Sequence, residues 1–204
     1  MITPTNKQLD ALKKVVNIGI GKAASKLNEL LGSHIEMEAP SIIVFDPEKP
    51  GEEFTDMDSS KLASVQRGFY GSFSGSSVLV FPSESAVKLV AALTDEKPGT
   101  EGLDKLKVDT LNEVGNILIN SFMGTINNLL STHIDFLLPN YIEGNFIDLL
   151  KHPDSKEIEM FLLIRTNFKV QDHQVNGEIF LIFEPDSIKD LLNAIDKLET
   201  TIHK

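Results

Sequence analysis

From Lys7 to Leu31 the apolar residues Leu9, Leu12, Val15, Val16, Ile18, Ala23, Leu27, Leu30 and Leu31 recur at the helical period. This spacing predicts one long amphipathic helix, stopped near Gly32. The stretch HIEMEAPSIIVF reads as a strand interrupted at Pro40, because proline offers no N–H to a ladder. An acidic loop around PEKPGEEFTDMDSS follows. ASVQRGFYGSF and SGSSVLVFP then read as two strands joined by a Gly/Ser turn, and ESAVKLVAALT as a short amphipathic helix. The linker DEKPGTEG closes this half.

The second half repeats the first. A shift of 99 positions lays Asp10–Pro40 over Asp109–Pro139 without a gap, and 12 of the 31 aligned residues are identical. Chance overlap would give about two, from ordinary residue usage. The identities include Asp10/Asp109, Asn17/Asn116, Asn28/Asn127, His34/His133 and Pro40/Pro139. Further on, SSVLVFPSESAVKLVAAL corresponds to GEIFLIFEPDSIKDLLNAI, a strand followed by a helix in both copies. A duplicated unit with one apolar strand face joins its copies through a shared sheet. The expected fold is therefore α/β of the α+β type: an internally duplicated, pseudo-two-fold domain over 1–204, with repeats at about 7–99 and 106–204 and long helices packed on a mainly antiparallel sheet.

On the second long helix Asp109, Glu113, Asn116 and Asn120 fall at i, i+4, i+7 and i+11, which places them on one side. The matching stripe on the first helix is Asp10, Lys14, Asn17 and Gly21. Charged residues sit mostly outside, so each stripe reads first as a solvated, exposed face. Asparagine is nevertheless a poor helix-interior residue, because its short amide competes for backbone hydrogen bonds. Its place in both copies suggests a role other than local stability.

The pattern Asp-x3-Glu-x2-Asn, followed after 22 residues by Pro139, resembles the signature of the CheC, CheX and FliY chemotaxis phosphatases. The two copies in one chain resemble CheC most. NIGIGKAAS after Asn17 is similar to the family's small-residue continuation of that helix. The resemblance implies hydrolysis of the aspartyl phosphate on a CheY-type receiver, with Asn116 positioning the water, Glu113 anchoring the receiver's lysine, and Asp109, Asp10, Pro139 and Pro40 in support. The chemistry is consistent with that role. An acyl phosphate whose own site supplies Mg2+ and a lysine needs only a water placed in line with phosphorus. An amide can accept from that water while donating to a phosphoryl oxygen, and a glutamate can pair with the lysine.

The first copy departs from the pattern, since Lys14 stands where glutamate is expected and would repel the receiver's lysine. Lys14 and Asn17 are thus read as a degenerate site, in which Lys14 alternatively pairs with Asp10 along its own helix. Phe122 and Met123, opposite Ala23 and Ala24, are candidates for reshaping the docking surface. One working site is expected, in the second half. The competing reading is a non-catalytic chemotaxis or flagellar-switch protein, similar to FliM modules that lack the stripe or to a CheD-binding adaptor.

Thirty acidic against 19 basic residues leave a formal charge of -11, a field that repels nucleic acid and anionic lipid. Without cysteine there is neither a disulfide framework nor a thiolate zinc site, and no apolar leader or membrane span is evident. The expected setting is cytoplasmic, with a monomer favoured over a dimer, a phosphorylated receiver as partner, CheD as a second candidate, and no cofactor beyond the receiver's own Mg2+. His34, His133, His152, His173 and His203 lack metal-ligand spacing, and the first two read as helix-terminal or packing residues. Asp56, Asp58 and Ser60 imitate an EF-hand start, but Lys61 occupies the glycine position, so no metal site is expected. Gly68, Gly71 and Gly75 lack nucleotide-binding spacing and read as turn residues.

Overall fold

The computed structural model describes residues 4–45, 61–94, 97, 103–144 and 161–202. The acidic loop with its EF-hand-like start, most of the linker, His152 and His203 lie outside these. The predicted first helix spans Asn6–Leu31 (α1). Thr5 and Gln8 form a reciprocal capping box at its start, and Gly32 ends it with φ 60°, a left-handed conformation that glycine adopts without strain. The chain continues through β1 (Ile35–Met37), β2 (Ser41–Phe45), β3 (Leu62–Gly71), β4 (Gly75–Pro82) and α2 (Ser83–Thr94). The second half repeats this order in α3 (Leu103–Leu130), β5 (Ile134–Phe136), β6 (Asn140–Gly144), β7 (Phe161–Val170), β8 (Val175–Phe183) and α4 (Pro185–Ile202). No described helix is long and apolar enough to cross a membrane.

All eight strands belong to one sheet, ordered β1-β7-β8-β4-β3-β5, with β2 also on β7 and β6 also on β3. Every pairing is antiparallel. The register carries the duplication. Ile35 pairs with Val170 and Ile134 with Gly71; Ser41 pairs with Arg165 and Asn140 with Gln66. Each copy's edge strands therefore hydrogen-bond to the other copy's hairpin. In the centre, Ser76 faces Ile182 and Val80 faces Glu178, so the register is symmetric about the Val78–Phe180 pair.

Alternation along the central strands divides the apolar residues between two faces. Leu79, Phe81, Ile179, Leu181 and Phe183 join the helices in the main core, while Val78, Val80, Phe180 and Ile182 are buried on the reverse face. Burial on both sides explains why these strands read as almost continuous apolar runs. Two serines fasten helices to the opposite copy's hairpin: Ser187 Oγ in α4 accepts from the Ser74 amide at 2.7 Å, and Ser85 Oγ in α2 accepts from the Asn176 amide at 3.2 Å.

The two long helices cross against each other through a large residue set on a small one. Phe122 is 1% exposed and fills the space over Gly19, where an added Cβ would lie 2.5 Å from its ring. Phe122 and Met123 are core residues and do not shape a docking surface, contrary to the sequence reading. Gly19→Ala is expected to destabilise by about 1–3 kcal/mol through overpacking, despite alanine's better helix propensity. Phe122→Leu in the same chain should recover more than the two single changes predict by addition. Urea titration of the four chains checks this, and equal stability of Gly19→Ala and wild type would show that the crossing yields.

Candidate active site

The second-half stripe occupies the N-terminal part of α3, and its seat is set by Gly115. An added Cβ there would lie 2.6 Å from Val65 Cγ1, so the helix rests directly on β3 in the turn that separates Glu113 from Asn116. Lys107 Nζ, near the start of α3, donates to Glu143 Oε1 on β6 at 2.8 Å. That bond, with the Tyr141 hydroxyl donating to the same oxygen at 2.5 Å, holds the Glu143 carboxyl below its ordinary range.

Asp109, Glu113 and Asn120 are exposed, but Asn116 is half-buried. Its Oδ1 is enclosed and has no hydrogen-bond partner among the described residues, and one turn earlier Asn112 Oδ1 is in the same condition. The fully exposed stripe expected from the sequence is corrected here: the close approach at Gly115 draws Asn116 partly under cover. On α1 the counterpart of Gly115 is Val16, fully buried, and there Asp10, Lys14, Asn17 and Gly21 are all exposed. Lys14 and Asp10 form no ion pair, which removes the alternative explanation of Lys14. An exposed pair gains little against the entropy of fixing two long side chains.

Pro40 and Pro139 separate β1 from β2 and β5 from β6, where each lies between two short edge strands. His34 and His133 are exposed after the helix ends, so neither is a packing residue. Their carbonyls accept from the Gln171 and Ser72 amides, a backbone role that repeats across the two copies. Asn28 and Asn127 also serve the chain itself. Asn28 Nδ2 donates to the Ser33 carbonyl at 2.9 Å, and Asn127 Oδ1 accepts from the Thr132 hydroxyl at 3.0 Å.

Sequence reasoning missed Arg67. From β3 its Nη1 donates to Asn120 Oδ1 at 2.7 Å and its Nε to the Leu137 carbonyl at 2.8 Å, with the guanidinium 4.6 Å over the Phe136 ring. The counterpart on β7 is Thr166, whose hydroxyl donates to the Glu38 carbonyl at 2.8 Å. The bond to the edge-strand carbonyl is thus common to both halves, and the reach to the stripe belongs to the second alone. Extending the repeat alignment into β3 and β7 would have exposed this difference.

Chemically the second-half surface offers an exposed carboxylate, an amide with an unpartnered acceptor, and a cation braced beside them. The first offers two exposed cation or amide groups on a bare helix face. Comparison with known proteins gives this arrangement its context. The model of the chemotaxis phosphatase CheX matches residues 63–161, and that of the CheC-like family matches residues 8–44. The CheY-P phosphatase CheC of Bacillus subtilis is 25% identical over 197 residues, covering 93% of this chain and 94% of its own. Among solved structures, Thermotoga maritima FliY superposes with a TM-score of 0.75 at 19% identity, covering 97% of this chain and 100% of FliY. CheX in the CheX–CheY–BeF3–Mg complex of Borrelia burgdorferi gives a TM-score of 0.59 at 22% identity, covering 83% of this chain and 98% of that one. The chain is thus similar in sequence and in fold to the CheC, CheX and FliY chemotaxis phosphatases.

Proposed function

We propose that this chain terminates chemotaxis signalling by hydrolysing the aspartyl phosphate of a CheY-type receiver, through one site formed by Glu113 and Asn116 on α3. The supporting observation is the enclosed, unpartnered Oδ1 of Asn116 beside the exposed carboxylate of Glu113. A buried acceptor without a partner costs about 1–3 kcal/mol. Turning the amide outward toward a docked receiver relieves that cost and supplies the acceptor that an attacking water needs.

In this reading Glu113 pairs with the receiver's lysine and sets the register of α3 against the receiver. The Asn116 amide oxygen accepts from the water, and its NH2 donates to a phosphoryl oxygen. The water oxygen bonds to phosphorus as the bond from phosphorus to the aspartate oxygen breaks. The aspartate leaves as a carboxylate, and both water hydrogens remain on the inorganic phosphate. Mg2+ belongs to the receiver and neutralises the phosphoryl charge there. No group with a shifted proton affinity is required of this chain, because an amide orients water without exchanging a proton.

Asn116→Ala is expected to slow decay of the phosphorylated receiver by about 10²-fold or more, the effect of losing one well-placed transition-state hydrogen bond. Its melting temperature should not fall, since the substitution removes an unpartnered oxygen from a half-buried site. Unchanged decay rates would remove Asn116 from the mechanism, and a chain that binds the receiver without hydrolysing it would be the non-catalytic interaction protein instead.

The two halves separate in a second experiment. Asn17→Ala should leave turnover nearly intact, because Lys14 repels the receiver's lysine and no anchor stands beside Asn17. In a Glu113→Ala/Asn116→Ala chain, Lys14→Glu should raise the residual receiver decay. Full activity in that double variant before Lys14 is changed would show that the first site works despite its lysine.

A further inference from the structure

The chain has two arginines, and they are treated differently. Arg165 meets Glu178 through two bonds, Nε to Oε2 at 2.5 Å and Nη2 to Oε1 at 3.2 Å, the forked geometry that satisfies a guanidinium. Arg67 has no carboxylate among the described residues, in a chain with a formal charge of -11. A half-buried cation without a counter-ion is costly, and nothing in the fold demands charge at this place. Thr166 makes the equivalent bond to the edge strand with a neutral hydroxyl.

Two of the five guanidinium hydrogens are used, on Asn120 and Leu137, and the cation lies over Phe136. The rest of its donor edge remains unassigned. Burial alone holds Arg67 below its ordinary proton affinity, and no carboxylate acts against that effect. Asn120, the residue it grips, is one helical turn from Asn116, about 6 Å along the axis at 1.5 Å per residue. Beside it projects the apolar pair Leu137 and Leu138, 54% and 89% exposed, where the first half has Glu38 and Ala39. The second-half site thus has a fixed cation and an exposed leucine pair between its edge strands, where the first has Thr166, Glu38 and Ala39.

We propose that Arg67 is a partner-recognition residue of the second-half site, its unused donor edge taking an anionic oxygen of the receiver that docks on α3. The inference rests on the receiver-phosphatase reading of Glu113 and Asn116, and it adds a residue on a different element. Bonds to Asn120 and Leu137 fix the guanidinium before docking, so little side-chain freedom is lost when the partner arrives. Charge at this position favours an acidic partner surface and disfavours a basic one.

The test is a titration of wild type, Arg67→Gln and Arg67→Lys with a receiver loaded with beryllofluoride and Mg2+, at low and high salt, with melting temperatures recorded. Arg67→Gln keeps an amide that can reach Asn120 or Leu137 but carries no charge. It should weaken binding by about tenfold and flatten the salt dependence, whereas Arg67→Lys should remain within about threefold of wild type. A deficit confined to the loaded receiver places the anion at the phosphoryl site, and one shared with the unloaded receiver places it on a surface carboxylate. Wild-type affinity and salt dependence in Arg67→Gln, or a lysine variant as weak as the glutamine one, overturns the proposal and leaves Arg67 a brace. A wild-type chain that binds the receiver but leaves its acyl phosphate intact defeats the hydrolytic reading alone, and one that does not bind defeats both.

Discussion

Exchange of edge strands between the two copies is the constraint from which the remaining geometry follows. The strands after α1 pair with β7, and those after α3 pair with β3, so each copy's hairpin needs the other's edge for its outer ladder. The central β4–β8 ladder and the reciprocal serine bonds of α2 and α4 join the same two units. With the sheet fixed in this way, α1 and α3 are forced side by side, and their crossing is accommodated by Gly19 under Phe122. The stripes on the two helices are then presented in related settings that differ in their own residues, Lys14 against Glu113, and in the residues beneath them.

Those differences decide what each surface can do. Gly115 lets α3 settle onto β3 and take Asn116 partly under cover, while Val16 at the matching place leaves Asn17 on an open face. Arg67 and Thr166 serve one common bond, yet only the longer side chain reaches the helix. The first copy can lose surface chemistry without losing its structural task, because the second copy's hairpin still depends on its strands.

The helices and hairpins were legible in the sequence, because periods of 3.6 and 2 are set by burial along one element. The turn at Gly32 and the strand break at Pro40 were legible for the same local reason. Strand exchange was not legible. A gapless repeat shows which segments correspond, but the same alignment fits strands paired within a copy or between copies. The partner of Asn120 is 53 residues away, and the covered state of Asn116 depends on how closely one glycine lets two elements approach. Identity between copies was itself ambiguous, since Asn28 and Asn127 match as Asn17 and Asn116 do, yet they close helix ends.

The prolines between the edge strands have a consequence apart from any partner. A sheet with long, straight outer strands offers a row of free amides and carbonyls on which another chain can add. Among the described residues each outer margin is split into a three-residue and a five-residue strand, with Pro40 or Pro139 in the gap. Neither segment is long enough to template a growing ribbon, and proline supplies no amide where the two would join. The broken margins thus disfavour strand-on-strand addition to a sheet whose central strands are rich in apolar residues.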